Sequence, residues 1–239
     1  MKEVIFVSEK AIAIITARGG SKRIPKKNIR EFCGKPIIAY SIDAAINSGI
    51  FDEVMVSTDS EEIAEIARKY GAKVPFMRSA ETASDYATTS DVLAEVIDEY
   101  RKCRREFDYM ACLYPTAPFV TSAKLKAAMK MLIEQNGLMA MPVVQFSYPP
   151  QRGYIIENDK LNMKYMENAE KRSQDLEKLY HDAGQFYLVQ TKGYWENNGK
   201  IYKGITPIIV DEMEVQDIDN ETDWKIAEIK YKLMINGMM

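Results

Sequence analysis

The chain has 239 residues, 46% of them apolar, and 32 Lys and Arg against 35 Asp and Glu leave a formal net charge of −3. That length and apolar content suit one large α/β domain, or one domain with a small appendage, better than two unrelated domains. The slight acidity supplies no whole-molecule field for nucleic acid or an anionic membrane, so neither is expected as a partner.

Cys33, Cys103 and Cys112 are irregularly spaced and form no C-x-x-C pair, which fits a reduced, cytoplasmic setting. The apolar run at 4–7 is too short for a signal-peptide core and no later run is long enough to span a bilayer, so a soluble protein is expected.

In chain order, Ala11–Thr16 predicts a first strand, followed by the basic loop TARGGSKRIPKKN. Pro36 is expected to open a helix that Gly49 closes, because a missing N–H does no harm in a first turn. A second strand at 54–57 precedes a helix capped by Ser60, with Glu61 and Glu62 suiting its dipole and Gly71 ending it. A third strand is expected at 74–77. Val92, Leu93, Val96, Ile97 and Tyr100 recur at helical spacing within 88–102, and 108–114 returns to a strand. A helix at 122–135 and a strand at 138–144 follow. The alternation predicts a doubly wound, mostly parallel sheet covered by helices on both faces.

The pattern breaks at 145–180, where only YIIENDKLNMKYM reads as a hairpin, turning at Asn158-Asp159. Such an excursion serves as a lid or as a subunit contact. The main domain then comprises 1–144 and 181–239, with strands at 183–190 and 205–210 and a closing helix at 221–234.

In a doubly wound fold the loop leaving the first strand is the usual place for phosphate. Gly19 and Gly20 allow close approach of backbone amides to an anion, and Lys22, Arg23, Lys26 and their neighbours supply countercharge. Taken singly, each of those cations is equally a solvated surface residue. Neither G-x-G-x-x-G nor G-x-x-x-x-G-K-[ST] is present. In D-I-D at 217–219, alternation along an extended segment turns Asp217 and Asp219 one way and Ile218 into the core. The two carboxylates suit a hard cation such as Mg²⁺, or form an acidic turn before the last helix.

The motif A-R-G-G-S-K-x-I-P-x-K-N, followed in order by VSTDSEEIAEIARKYGAKV, RSAETASDYATTSDVL, PTAPF and DIDNETDW, resembles the CMP-sialic acid synthetase family of cytidylyltransferases over nearly the whole chain. RSQDLEKLYHDAGQFY and FSYPPQR most resemble the branch that acts on pseudaminic acid. The resemblance implies a nucleotide-diphospho-sugar transferase-like fold. It also implies transfer of CMP from CTP to a nine-carbon α-keto acid (nonulosonic acid) sugar, with pyrophosphate released, for glycan or flagellin modification. Arg18, Ser21, Lys22, Lys27 and Asn28 match positions that hold triphosphate and ribose, Arg18 and Lys27 being the pair expected to stabilise developing charge. Arg78, Ala87 and Thr89 match the surroundings of cytosine, and Asp217 and Asp219 match a Mg²⁺-binding D-x-D. A homodimer built through 145–180 is implied.

On the acceptor side, sialic acid enzymes of the family carry Gln and Arg where this chain has Tyr114 and Val120, and Arg where it has His181. N-acetylneuraminate is therefore a poor expectation. Arg152 and Arg172 are candidates for the sugar carboxylate, and Gln174 and Gln185 for hydroxyl or acetamido groups. His181 is a substrate contact or a general base. Legionaminic acid, N-acylneuraminate and 3-deoxy-manno-octulosonate remain alternative acceptors, and a non-catalytic sugar-nucleotide sensor is the alternative of another class.

Overall fold

A computed structural model describes residues 9–237, so the apolar run at 4–7 lies outside the described residues. β1 (Ala11–Thr16) leads through a small hairpin of β2 (Glu31–Phe32) and β3 (Lys35–Pro36) into α1 (Ile38–Ser48). β4 (Glu53–Ser57), α2 (Glu61–Lys69), α3 (Thr89–Lys102), β5 (Tyr109–Leu113) and α4 (Ser122–Glu134) follow. β6 (Met139–Gln145) precedes the hairpin of β7 (Tyr154–Glu157) and β8 (Lys160–Met163). β9 (Tyr180–Asp182), β10 (Phe186–Gln190), α5 (Thr191–Glu196), β11 (Thr206–Ile209) and α6 (Glu221–Ile235) come last.

The central sheet has the order β11-β6-β10-β5-β1-β4, with β9 also paired to β6. β1 lies between β4 and β5 and parallel to both, so the crossovers leave it in opposite directions. β10 runs antiparallel to both β5 and β6. No crossover helix separates it from β6: the excursion returns at the end where β6 leaves, and a strand entered there must run backwards.

Alternation along β1 assembles two of the three cores. Ala11, Ala13 and Ile15 pack with α1, α2 and α4, while Ile12 and Ile14 pack with Leu93, Val96 and Ile97 of α3. A third cluster holds Ile24, Phe32, Tyr40, Phe119, Ile218 and Trp224, with Phe32 meeting Trp224 edge to face at 5.5 Å. This cluster joins the basic loop to the D-I-D segment.

Several expectations change. The segment 74–77 is not a strand; Met55 and Lys73 form a single bridge before Pro75, which has no N–H for a ladder. Pro36 ends β3, and α1 begins two residues later at Ile38. The hairpin turn is as expected, with Asn158 and Asp159 both left-handed at φ 52° and 59°.

Glu53 is the buried charge that fastens β4. It accepts from Lys73, Arg105 and the Tyr100 hydroxyl at 2.9, 2.8 and 3.0 Å. Burial by itself would raise its carboxyl, but these donors together outweigh it and hold the pKa below the ordinary value. A depressed carboxylate contributes stability present above its unfolded pKa of about 4.3 and lost as pH falls through the folded one. Glu53→Ala, which strands the Tyr100 hydroxyl, should cost about 2–3 kcal/mol at neutral pH and flatten the acid limb of a Tm-against-pH curve. An unchanged acid limb would remove Glu53 from the pH dependence.

Candidate functional site

Three adjoining cavities open at the C-terminal ends of β1, β4 and β5, where the crossovers diverge. The middle one, about 660 Å³, is lined by Arg18, Ser21, Lys22, Arg23, Lys27, Asn28, Thr89, Tyr114, Asp217 and Asp219. It shares Thr16, Arg18 and Thr89 with a cavity of about 230 Å³ that adds Arg78, Asp85 and Ala87. On the other side it shares Tyr114 and Asp217 with a cavity of about 540 Å³ lined also by His181, Asp182, Tyr187 and Lys230. The order is small side pocket, cationic centre, and then the larger of the two flanking cavities, a polar chamber.

The basic loop is built from its own contacts. Asn28 is buried and donates to the Arg18 carbonyl at 2.8 Å, closing the loop on itself. Arg18 and Lys22 both reach Asp85 at 2.6 Å, and Arg23 reaches Asp219 at 2.7 Å. Lys27 is the least exposed of these cations; its Nζ donates to the Ile218 carbonyl at 2.7 Å and lies 4.0 Å from Asp219. Burial lowers its ammonium pKa, with Asp219 and Asp217 pulling the other way.

The glycines work differently from expectation. Neither Gly19 nor Gly20 has a positive φ. A Cβ at Gly19 would come within 3.1 Å of Ser60, and its N–H is already given to Asp59 at 2.8 Å. A Cβ at Gly20 would meet nothing within 4 Å, so the fold alone does not require glycine there.

In the small pocket Arg78 is 8% exposed, so it is a buried residue rather than a surface arginine. Its Nε donates to Ser57 Oγ at 3.0 Å and its Nη2 to the Ser57 carbonyl at 2.6 Å, fixing it to the end of β4. Burial lowers its pKa, opposed by Asp59 and Glu95. Thr88 caps α3 in a capping box with Asp91, which sets Ala87 and Thr89 at the pocket wall.

Ile218 is 1% exposed in the third core cluster, which leaves Asp217 and Asp219 facing the cavities as alternation requires. Asn220 caps α6 in a box with Asp223, whose carboxylate also accepts from the Asp219 N–H at 2.9 Å. The aspartates therefore stand on fixed backbone. No cluster of three acidic, His or Cys ligands occurs among the described residues. Two carboxylates beside a cavity lined by Arg18, Lys22, Arg23 and Lys27 fit Mg²⁺, which favours one or two protein carboxylates with substrate phosphates and water.

The larger chamber holds Tyr114 and His181. The Tyr114 ring meets Tyr187 edge to face at 5.7 Å, and Tyr187 donates a hydrogen bond to Asp182. The His181 ring packs on Phe146 at 4.7 Å and its Nδ1 lies 2.9 Å from the Asp182 carbonyl. A carbonyl can only accept, so Nδ1 carries a proton; in the neutral imidazole Nε2 is then the free acceptor.

Arg152, Arg172, Gln174 and Gln185 line none of the three cavities in the single chain. Arg152 lies 3.5 Å from Ser173, and Arg172 grips Asp175 through two bonds of 2.9 and 3.1 Å, beside Gln174. Gln185 is 2% exposed, and its Nε2 donates to the Glu214 carbonyl at 2.6 Å. Asp85, Asp182, Tyr187 and Lys230 also belong to the cavities; the first three lie within the motifs that carry the resemblance but are not singled out there, and Lys230, late in the last helix, reads as solvated surface.

Parallel strands ending at a cationic loop between two pockets are the architecture of a nucleoside-triphosphate-dependent transferase. Residues 12–227 match the family model described as cytidylyltransferase, and the chain belongs to that family. It is a CTP-dependent nucleotidyltransferase. A pseudaminic acid cytidylyltransferase of Campylobacter jejuni is 43% identical over 225 residues, covering 94% of this chain and 97% of the relative. A CMP-N,N'-diacetyllegionaminic acid synthase of Legionella pneumophila is 34% identical over 227 residues, covering 91% and 94%. The solved structure of a CMP:2-keto-3-deoxy-manno-octonic acid synthetase complexed with CTP aligns with a TM-score of 0.68 over 95% of this chain and 99% of that one, at 16% identity, a likeness of fold.

Proposed function

We propose that the enzyme transfers CMP from CTP to the anomeric hydroxyl of pseudaminic acid, a nine-carbon α-keto acid sugar, releasing pyrophosphate. The observation that carries this reading is the row of three joined cavities, which offers base, phosphates and sugar separate but adjoining places. The 43% identity with the Campylobacter jejuni relative supports the acceptor, as do Tyr114, Val120 and His181 in place of the Gln, Arg and Arg of sialic acid enzymes.

In the step itself an oxygen of the sugar bonds to the α-phosphorus, the bond to the β-phosphate oxygen breaks, and the hydroxyl proton leaves to solvent or to His181 Nε2. Arg18 forks onto phosphate oxygens, exchanging Asp85 for substrate, while Lys27 holds a point charge beside them. Ser21, Lys22 and Asn28 complete the cradle, with Gly20 leaving room for it. Arg78, Ala87 and Thr89 receive the base. Asp217 and Asp219 would hold Mg²⁺, which when bound neutralises developing phosphate charge. Positioning and charge neutralisation then account for the rate, since the protein has little covalent work to do.

The excursion exposes Tyr154, Ile156, Leu161 and Met166, an apolar set that supports a homodimer built through 145–180. Arg152, Arg172 and Gln174 would then face the partner's chamber rather than their own. No helix among the described residues is long and apolar enough to cross a membrane, and use of CTP suits a cytoplasmic enzyme serving glycan or flagellin modification.

Incubation with CTP, Mg²⁺ and pseudaminic acid should give CMP-pseudaminic acid by mass spectrometry, in step with pyrophosphate. Binding of CTP with no product from any keto acid would favour the sensor. Arg78→Met should lower kcat/KM for CTP about 10- to 100-fold, mainly through KM. An unchanged KM would leave Arg78 a packing residue of β4.

A further inference from the structure

The charged residues of the 540 Å³ chamber are Asp182, Glu212, Asp217 and Lys230. Three are anionic, so the chamber proposed for an α-keto acid is a poor place for a carboxylate except beside Lys230. Asp182 is already engaged, accepting from the Tyr187 hydroxyl and from the Gly184 N–H at 2.7 Å. Of the other cations near the cavities, Arg18 and Lys22 have Asp85, Arg23 has Asp219, and Lys124 has Glu214 at 3.2 Å, while Arg78 in the small pocket is held by Ser57. Among the described residues Lys230 has no carboxylate within 4.0 Å.

Lys230 is also fixed in place. Its Nζ donates to the Glu212 carbonyl at 3.1 Å and the Val215 carbonyl at 2.7 Å. An ammonium has three N–H donors and no acceptor, so two hold the turn and one remains for a ligand. Anchoring two donors limits the rotamer freedom a long lysine would otherwise lose on binding. The turn that it holds runs directly into Asp217, so a ligand on Lys230 is tied to the segment that faces both the chamber and the phosphate cavity.

We propose that Lys230 binds the carboxylate of the keto acid acceptor. The proposal rests on the reading of this chamber as the acceptor site. Lys230 replaces Arg152 and Arg172 as the residue of the same chain that meets this anion, and it orients the sugar so that the anomeric hydroxyl, on the carbon next to the carboxylate, lies toward Asp217 and the phosphate cavity.

The test uses the full-length enzyme, with pseudaminic acid and its methyl ester as acceptors. Lys230→Gln keeps donors for the two carbonyls and removes the charge; Lys230→Arg keeps both. With the acid, Lys230→Gln should lose about 10- to 100-fold in kcat/KM through the acceptor, with KM for CTP within about twofold, while Lys230→Arg retains most activity. With the ester, wild type and Lys230→Gln should be nearly equal, because the interaction has already been removed from the substrate. Equal losses on acid and ester, or a loss that follows a lowered Tm, would mean that Lys230 only clips the turn and would overturn the proposal. Full activity of Lys230→Gln, with losses in Arg152→Ala or Arg172→Ala instead, would give the carboxylate to the excursion. Wild-type enzyme that uses no keto acid at all would overturn the acceptor reading first, and this proposal with it.

Discussion

Asp217→Ala combined with Asp219→Ala is expected to lower Mg²⁺-dependent turnover by about 10³-fold or more. A divalent cation supplies several kcal/mol of transition-state charge stabilisation, and each 1.36 kcal/mol is a factor of about ten. Ile218, 1% exposed between them, is untouched by the change, and the Asn220–Asp223 capping box still sets the start of α6. Thermal unfolding should therefore move little while turnover collapses. The double change also frees Arg23, which now pairs with Asp219 at 2.7 Å, so KM for CTP should not rise in proportion to the loss in kcat. Unchanged turnover across a Mg²⁺ titration would make D-I-D an acidic turn and nothing more.

Lys27→Met should lower kcat by about 10²- to 10³-fold, the range found when a preorganised donor facing developing charge is removed. Lys27 is the least exposed cation of the cradle, with its side chain 21% exposed against 77% for Lys22. A charge with less water around it acts through a lower effective dielectric, so Lys22→Met should cost much less. Lys27 also donates to the Ile218 carbonyl at 2.7 Å, a structural role that methionine loses too. Lys27→Arg separates the two: it keeps charge and donors, and should recover part of kcat without matching wild type. A fall in Tm equal in Lys27→Met and Lys27→Arg, with kcat following it, would assign Lys27 to structure alone.

The parts of the fold that could be read from the sequence are those where periodicity and punctuation agree. β1 is apolar from Ala11 to Ile15 because both faces are covered; α3 announces itself by helical spacing and α2 by its acidic first turn and closing glycine, although the Ser60 side chain makes no cap hydrogen bond. The Asn158-Asp159 turn was legible because its left-handed backbone favours those residues. The direction of β10 was not, since a strand carries no mark of which neighbour it will meet. β2, β3 and β9 are two or three residues long, too short for any period, and the strand at 74–77 was mistaken because Pro75 sits inside an apolar run. The site divides the same way. Cations and carboxylates clustered in one motif point to a phosphate, so the cradle and D-I-D could be found. Asp85, Asp182 and Tyr187 stand inside motifs whose role side-chain type alone does not reveal, and Lys230 meets the site only through folding. Gln185 stands in a segment that resembles its relatives, yet its amide is buried on Glu214.

The most direct test of the account is pyrophosphate release with Mg²⁺, crossing the four ribonucleoside triphosphates with pseudaminic, legionaminic, N-acetylneuraminic and 3-deoxy-manno-octulosonic acids. The account predicts release with CTP and pseudaminic acid, and at most weak release from every other pair. Strong release with a second acid would contradict the roles given to Tyr114 and His181, and release with another triphosphate in preference to CTP would contradict the central claim.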